Sequence, residues 1–569
     1  MINFLLEIPR NIEAKNPSDY FRRCPDSSRT IAGENFTLIL WGDPILSKDI
    51  ESALYENTSV SYLTRNVCGH YYYLLHDRKK KEIILGNSLF GILPVYYRKD
   101  SSGIFVSNDP LKLIPGDKNH QFDKRFMLES VLFNYSLFDR SCLDGIDLMP
   151  SNHYLELRGG TVTLRCHLSI EDCFVENPEP WQKSAENIAD IFISASRKYF
   201  CNEPHYAALT AGLDSRTLLC CGLYHKKKIT AYNFGSIDSE DIRIASIISK
   251  KIGLEFNPFY LDEDYIKNQS LDCGLDFIRL AHGEASFSRA HYLYSARKLA
   301  EKTGCIVTGN FGSEILRAAH LPGVMVSPNL VKYFFSKNHE SGLESIERSY
   351  EFCWLNKENF KKEWESLAED LKELPRFNPK YKNLTLNQKF YVLVFNTIFR
   401  KYFGPEMSNQ YQYLINRTPF LDFEFLNAIL QTEMAAVYSD FFTSNPLKRY
   451  KGQILYSFIM QKTCPQLARE KTDKGYCPMD LLTLMGKLQA SAAFVKRKIK
   501  RRGLFLGDEY SVRAAFNHNK SYFQNIPVKE ELFNATAFKK SFDKGVYPQD
   551  SFFIALSQAW WQNELGCKK

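Results

Sequence analysis

The stretch "HYAALTAGLDSRTLL" (residues 205–219) passes from a short apolar run through a glycine, an acid and two hydroxyls into a second apolar run. A plain turn between two core elements needs only Asn-Gly or Pro-Asp. Here Thr210, Gly212, Asp214 and Ser215 stand within six positions. The pattern predicts a strand ending at Thr210, a loop, and a helix. Ligands of parallel sheets bind beyond the carboxyl ends of the strands. Gly212 lets backbone amides turn outward, and the helix start adds unpaired N–H groups with partial positive charge. Such a nest suits phosphate oxygens. Asp214 repels phosphate directly and makes sense when a Mg²⁺ ion lies between them. No GxxxxGK[ST] pattern is present. A glycine turn with a capping Asp or Ser explains this loop alone almost as well.

Two more junctions share the design. "CIVTGNFGSEILRA" (305–318) reads as strand, glycine loop, then a helix opening with Ser313 and Glu314; "ITAYNFGSIDSEDIRIA" (229–245) places Gly235 and then Asp241 near a helix start. Three such junctions in one sheet converge on one edge, which capping alone does not explain. Around them strands and helices alternate from HYAALT to CIVTG, the signature of a parallel sheet covered by helices on both faces. Beyond about residue 330 the pattern turns helical.

Residues 30 to 170 differ. FTLILW (36–41), HYYYLL (70–75), EIILG (82–86), GIFVS (103–107), HYLEL (153–157) and VTLRC (162–166) are β-like runs separated by hairpin punctuation, with "DRKKKE" (77–82) at a turn tip. "VENPEPWQKS" (175–184) reads as a linker ending in a helix start. With 569 residues, 44% hydrophobic and 24% charged, the chain has room for two large domains. The net charge of +8 permits an anionic ligand without arguing for nucleic acid. The densest apolar run, Phe390 to Phe399, is too short to span a bilayer. No leader pattern is visible, and the 14 cysteines lack zinc-ligand spacing. The expectation is a cytoplasmic protein with reduced thiols and no membrane or nucleic-acid partner.

LTAGLDS resembles the pyrophosphate-binding SGGLDS loop of the asparagine synthetase family, and TGNFGSE resembles that family's SGEGADE loop. "RTPFLD" (417–422), Lys451 ahead of "QILY", and "REKTDKGYCP" (469–478) follow in family order. "LGNSLFGILPVYY" (85–97) and "LDGIDLMPSNHYLEL" (143–157) resemble stretches of the family's glutaminase domain, so the likeness covers nearly the whole chain. The resemblance implies an α/β chain: an Ntn-hydrolase-like layered β domain (α+β) over residues 1–175, then over 182–569 a parallel-sheet, PP-loop (HUP-like) adenine-nucleotide domain with a helical C-terminal part.

It also implies the chemistry. A substrate carboxylate attacks the α-phosphorus of ATP, pyrophosphate leaves, and an amine takes the acyl group. Carried over by position, Thr210, Gly212, Asp214 and Ser215 hold pyrophosphate; Leu209, Phe234, Thr308 and Gly309 line the adenosine; Asp214 and Glu314 hold Mg²⁺; and Lys451 neutralises developing charge. The chain departs from the family at Ser313, where an Asp is expected, at Asn310 in place of a glutamate, and at Arg216 in place of a serine. Arg216 is read either as a phosphate or substrate-acid ligand or as an exposed helix residue. Family glutaminases use an N-terminal cysteine, whereas Ile2 follows Met1 and the first cysteine is Cys24. The expectation is therefore a ligase with an inactive glutaminase domain, as in β-lactam synthetases and lasso-peptide cyclases. Its substrates are a carboxylate-bearing small molecule, sugar acid or peptide, with a tethered amine or free ammonia. An asparagine synthase proper and a degenerate nucleotide-binding scaffold are the alternatives, and a homodimer is open. The basic run "VKRKIKRRG" (495–503) reads as a solvated helix face, and His282 as structural.

Overall fold

The computed structural model describes residues 2–10, 16–115, 121–317, 325–439, 451–472, 474–500, 508–543 and 550–566. Eleven strands fill its first third: β1 (Leu5–Pro9), β2 (Phe21–Arg23), β3 (Ser28–Ala32), β4 (Phe36–Gly42), β5 (Tyr71–Asp77), β6 (Glu82–Asn87), β7 (Tyr96–Lys99), β8 (Gly103–Ser107), β9 (Asp147–Leu148), β10 (His153–Arg158) and β11 (Thr161–Cys166). They form two sheets in which every described pairing is antiparallel, ordered β2-β1-β8-β7-β9 and β11-β10-β6-β5-β4-β3. The sheets meet face to face through aromatic contacts: Phe4 of the segment entering β1 packs edge-on to Trp41 and Tyr72, each 5.0 Å between ring centroids. The other face of the six-stranded sheet is covered by the helices Lys48–Glu56 and Val60–Asn66, whose Leu54 and Leu63 join Leu38, Leu40 and Tyr73. The "DRKKKE" tip is the β5–β6 hairpin, where Lys81 takes φ +53°.

The helix Trp181–Ser196 leads into a second architecture. β12 (His205–Ala208), β13 (Ile229–Gly235), β14 (Phe256–Tyr260), β15 (Cys305–Val307) and β16 (Ile415–Arg417) make an all-parallel sheet ordered β14-β13-β12-β15-β16. The chain builds outward from β12 to β14, then returns to the other side of β12 to lay down β15. The strand order therefore reverses between β12 and β15, the place where open parallel sheets form a ligand crevice. The sheet has helices in its crossovers, and the described residues beyond it are mainly helical.

The apolar core does not stop at residue 175. One buried cluster runs from Phe4 through Phe192 to Trp561, and Phe90 packs against Phe395 at 5.6 Å. Polar ties cross as well: Arg417 grips Asp43 through Nε at 2.8 Å and a terminal nitrogen at 2.9 Å. No helix among the described residues is long and apolar enough to cross a membrane.

Candidate functional site

The loops after β12 and β15 stand side by side at the reversal, and glycine permits their approach. A Cβ on Gly309 would lie 2.7 Å from the Ser215 nitrogen and 2.8 Å from Asp214 Cβ. One on Gly312 would meet Asp214 Oδ1 and the Phe420 ring at 2.8 Å. No larger residue fits either position without displacing Asp214. Phe311 between them holds φ +72° although it is not glycine, its ring 4.4 Å from that of Phe403.

Asp214 opens the helix Asp214–Tyr224 and its side chain is 18% exposed. Both carboxylate oxygens are engaged. Oδ1 accepts from the buried hydroxyl of Tyr456, on the helix Lys451–Thr463, and Oδ2 accepts from Ser313 Oγ at 2.7 Å. Arg317 lies 3.6 Å from Oδ2 and also donates to Ser313 Oγ. Ser313 thus forms a hydroxyl bridge to Asp214 with the Arg317 guanidinium behind it. Glu314 is buried in the same short helix, Gly312–Leu316, and burial followed by the nearby Asp214 charge pushes its carboxyl up to about 7.

The loop amides are also occupied. Thr210 N donates to Ser215 Oγ at 2.9 Å, Gly212 N to Thr210 Oγ1 at 3.2 Å, and Ala211 N to Asp241 Oδ1 at 3.0 Å. The last bond brings the third junction to the first, as convergence on one edge requires. Thr308 continues the sheet, its nitrogen donating to Arg417 O at 3.0 Å and its hydroxyl to Asn416 at 2.8 Å. The ring of Phe234, at the end of β13, lies among His291, Tyr292 and Tyr510. Asn310 points toward Met407.

Thr210, Gly212, Asp214, Ser215, Gly309, Ser313 and Glu314 therefore come together, with Asp241. Three expected residues are placed otherwise. The Leu209 side chain is wholly buried, so only its backbone reaches the edge. Lys451 forms an ion pair with Glu433, which also accepts from Trp181 N at 3.1 Å. Five positions separate Lys451 from Tyr456, about 140° around a helix, so the two side chains face apart. Arg216 is not an exposed helix residue. It is fully buried and donates to the carbonyls of Glu470 at 2.7 Å and Lys471 at 3.1 Å. That clamp holds the "REKTDKGYCP" segment, of which residue 473 lies outside the described residues, as does Arg449 beside Lys451. Cys24 follows β2 and is exposed.

Tyr456 and Arg317 belong to this site and were not anticipated. The Ser313–Arg317 spacing of four puts both on one helical face and is the available signal; Tyr456 has none.

For Mg²⁺ the fit is poor. Among the described residues no group of three or more His, Cys, Asp or Glu side chains could hold a metal ion. Asp214 has both oxygens taken and a cation beside it, and Glu314 holds its proton near neutrality. These residues do not form a ready metal site. No protein-family model matches the chain, and a search of curated proteins finds no match.

Proposed function

We propose that this protein is an ATP-dependent, AMP-forming carbon–nitrogen ligase of the asparagine synthetase-like kind. In this reading the N-terminal part is an Ntn-hydrolase-like relic without glutaminase activity, and the parallel sheet is a PP-loop (HUP-like) nucleotide domain. One observation carries it: the two glycine loops at the strand-order reversal touch, with Asp214 and Ser215 of one lying under Gly309 of the other.

The reaction adenylates a substrate carboxylate. Its oxygen bonds to the α-phosphorus as the bond to pyrophosphate breaks; an amine then bonds to the acyl carbon, AMP leaves, and the amine nitrogen loses a proton. The protein's share is positioning and charge compensation. In this reading the helix start at Asp214 faces the phosphates, the Ala211 and Gly212 amides reach them on release from Asp241 and Thr210, and Arg317 supplies a fixed positive charge beside them. The nucleotide enters as its magnesium complex, with the ion as part of the substrate. The acyl donor is a small carboxylic acid, sugar acid or peptide, and the amine is tethered or is free ammonia. Every described cysteine is free, in keeping with a cytoplasmic site of action.

A second reading, a nucleotide-holding scaffold without turnover, is favoured by the saturation of the loop amides and of Asp214. ATP–pyrophosphate exchange over a panel of carboxylates separates the two. Exchange abolished in Asp214→Ala supports the ligase; nucleotide binding without exchange on any acid supports the scaffold.

A further inference from the structure

The helix Leu484–Lys500 carries two unrelated apolar faces. One is packed. A Cβ on Gly486 would lie 2.2 Å from the Asp480 carbonyl oxygen, Ala490 joins Tyr476 and Leu481 in a buried cluster, and Ala493 lies over Gly475. These positions recur as i, i+4 and i+7, a single helical stripe. The other face stands in solvent: Leu484 is 84% exposed, Met485 67% and Leu488 68%, with Ala492 exposed beside them. At about 100° per residue these four span an arc of about 100° on the side roughly opposite Ala490.

Lysine borders this arc on both sides. Lys487 flanks one edge, its ammonium 4.8 Å over the Trp181 ring, and the exposed Lys496 flanks the other. In sequence, Val495 and Ile499 continue the apolar period within the basic run "VKRKIKRRG" (495–503). The side chains of residues 494, 495 and 497–500, and all of 501–503, lie outside the described residues. A lone exposed leucine is ordinary, whereas a contiguous arc bounded by lysine marks an interaction surface.

We propose that this helix docks the protein on an anionic lipid surface, its apolar arc entering the headgroup boundary while the flanking lysines meet lipid phosphates. Charge complementarity selects this occupant. A second copy could cover the arc, yet a two-fold contact sets lysine borders against lysine borders. Nucleic acid would answer the basic run and leave Leu484, Met485 and Leu488 in water. At about 25 Å the helix suits lying in the interface plane.

The test is co-sedimentation of the full chain with vesicles of phosphatidylcholine alone or mixed with phosphatidylglycerol, at low and high salt. The proposal expects binding to the anionic vesicles only, weakened by salt, and cut about tenfold or more in a Leu484→Glu/Leu488→Glu variant. Because both leucines are exposed, that variant keeps the wild-type unfolding temperature and nucleotide affinity, which separates failure here from failure of the ligase reading. A Lys496→Glu variant expects a smaller loss of the same sign. The proposal is overturned by no binding to anionic vesicles, by binding that ignores the leucines, by a solution dimer that the double variant dissociates while vesicles are ignored, or by RNA binding that competes out all lipid binding.

Discussion

The Tyr456 hydroxyl donates to the Asp214 carboxylate across 242 positions of sequence, beside the strand-order reversal between β12 and β15. The same carboxylate accepts from Ser313 and faces Arg317, so three side chains from two helices fix it. On the proposed reading, nucleotide entry requires some of these contacts to yield.

Tyr456→Phe removes one of them at a wholly buried ring. The account expects a stability loss of about 1.5–3 kcal/mol, read from urea unfolding, because a hydrogen bond to a charged acceptor is lost with little change in shape. It also expects tighter nucleotide binding relative to that stability, since Asp214 is partly released.

Gly309→Ala drives a methyl group into the Ser215 amide and Asp214. Overpacking of this kind costs about 1–3 kcal/mol and moves the loop. Gly304→Ala, at the residue just before β15, meets nothing within 4 Å and serves as the control, with a change within about 0.5 kcal/mol. Thermal unfolding of the pair tests whether glycine is required by contact between the loops.

Glu314 gives stability a pH slope. Its folded carboxyl is raised from 4.5 to about 7, so between these values the folded state binds more protons than the unfolded one. Stability from this group is full below the unfolded value and falls as pH rises through the folded one. Glu314→Gln removes the slope and gains on the wild type as pH rises from 4.5 to about 7, by on the order of 3 kcal/mol at most. Unfolding midpoints across that window check the sign.

Arg216→Met leaves the Glu470 and Lys471 carbonyls without their donor. The expected outcome is faster tryptic cleavage within residues 469–478 and a loss of about 2–3 kcal/mol.

Much of the fold was legible because burial writes itself into residue order. GIFVS spans β8 without error, and FTLILW and EIILG mark β4 and β6 through continuous apolar runs bounded by turn residues. β16 left no such trace: three residues, Ile415–Arg417, are too few for any period, and the strand exists because β15 offers an edge. β1 alternates, with Leu6 and Ile8 buried, and ends at Pro9, yet it was not among the expected strands. At the site the two loops announced themselves through glycine beside acid and hydroxyl. Tyr456 and the Arg216 clamp did not, since tertiary contacts across more than 240 positions have no local pattern. Lys451, expected at the site through the family resemblance, is paired with Glu433, a tertiary contact that its local sequence does not announce.

The central claim, that the crevice between β12 and β15 holds a polyphosphate, is tested most directly by calorimetric titration of ATP and of pyrophosphate into the wild type and Gly309→Ala. The account predicts mutually competitive binding of both ligands to the wild type and loss of both in the variant while it remains folded. Absence of ATP binding to the wild type, or equal binding to a folded Gly309→Ala, contradicts it.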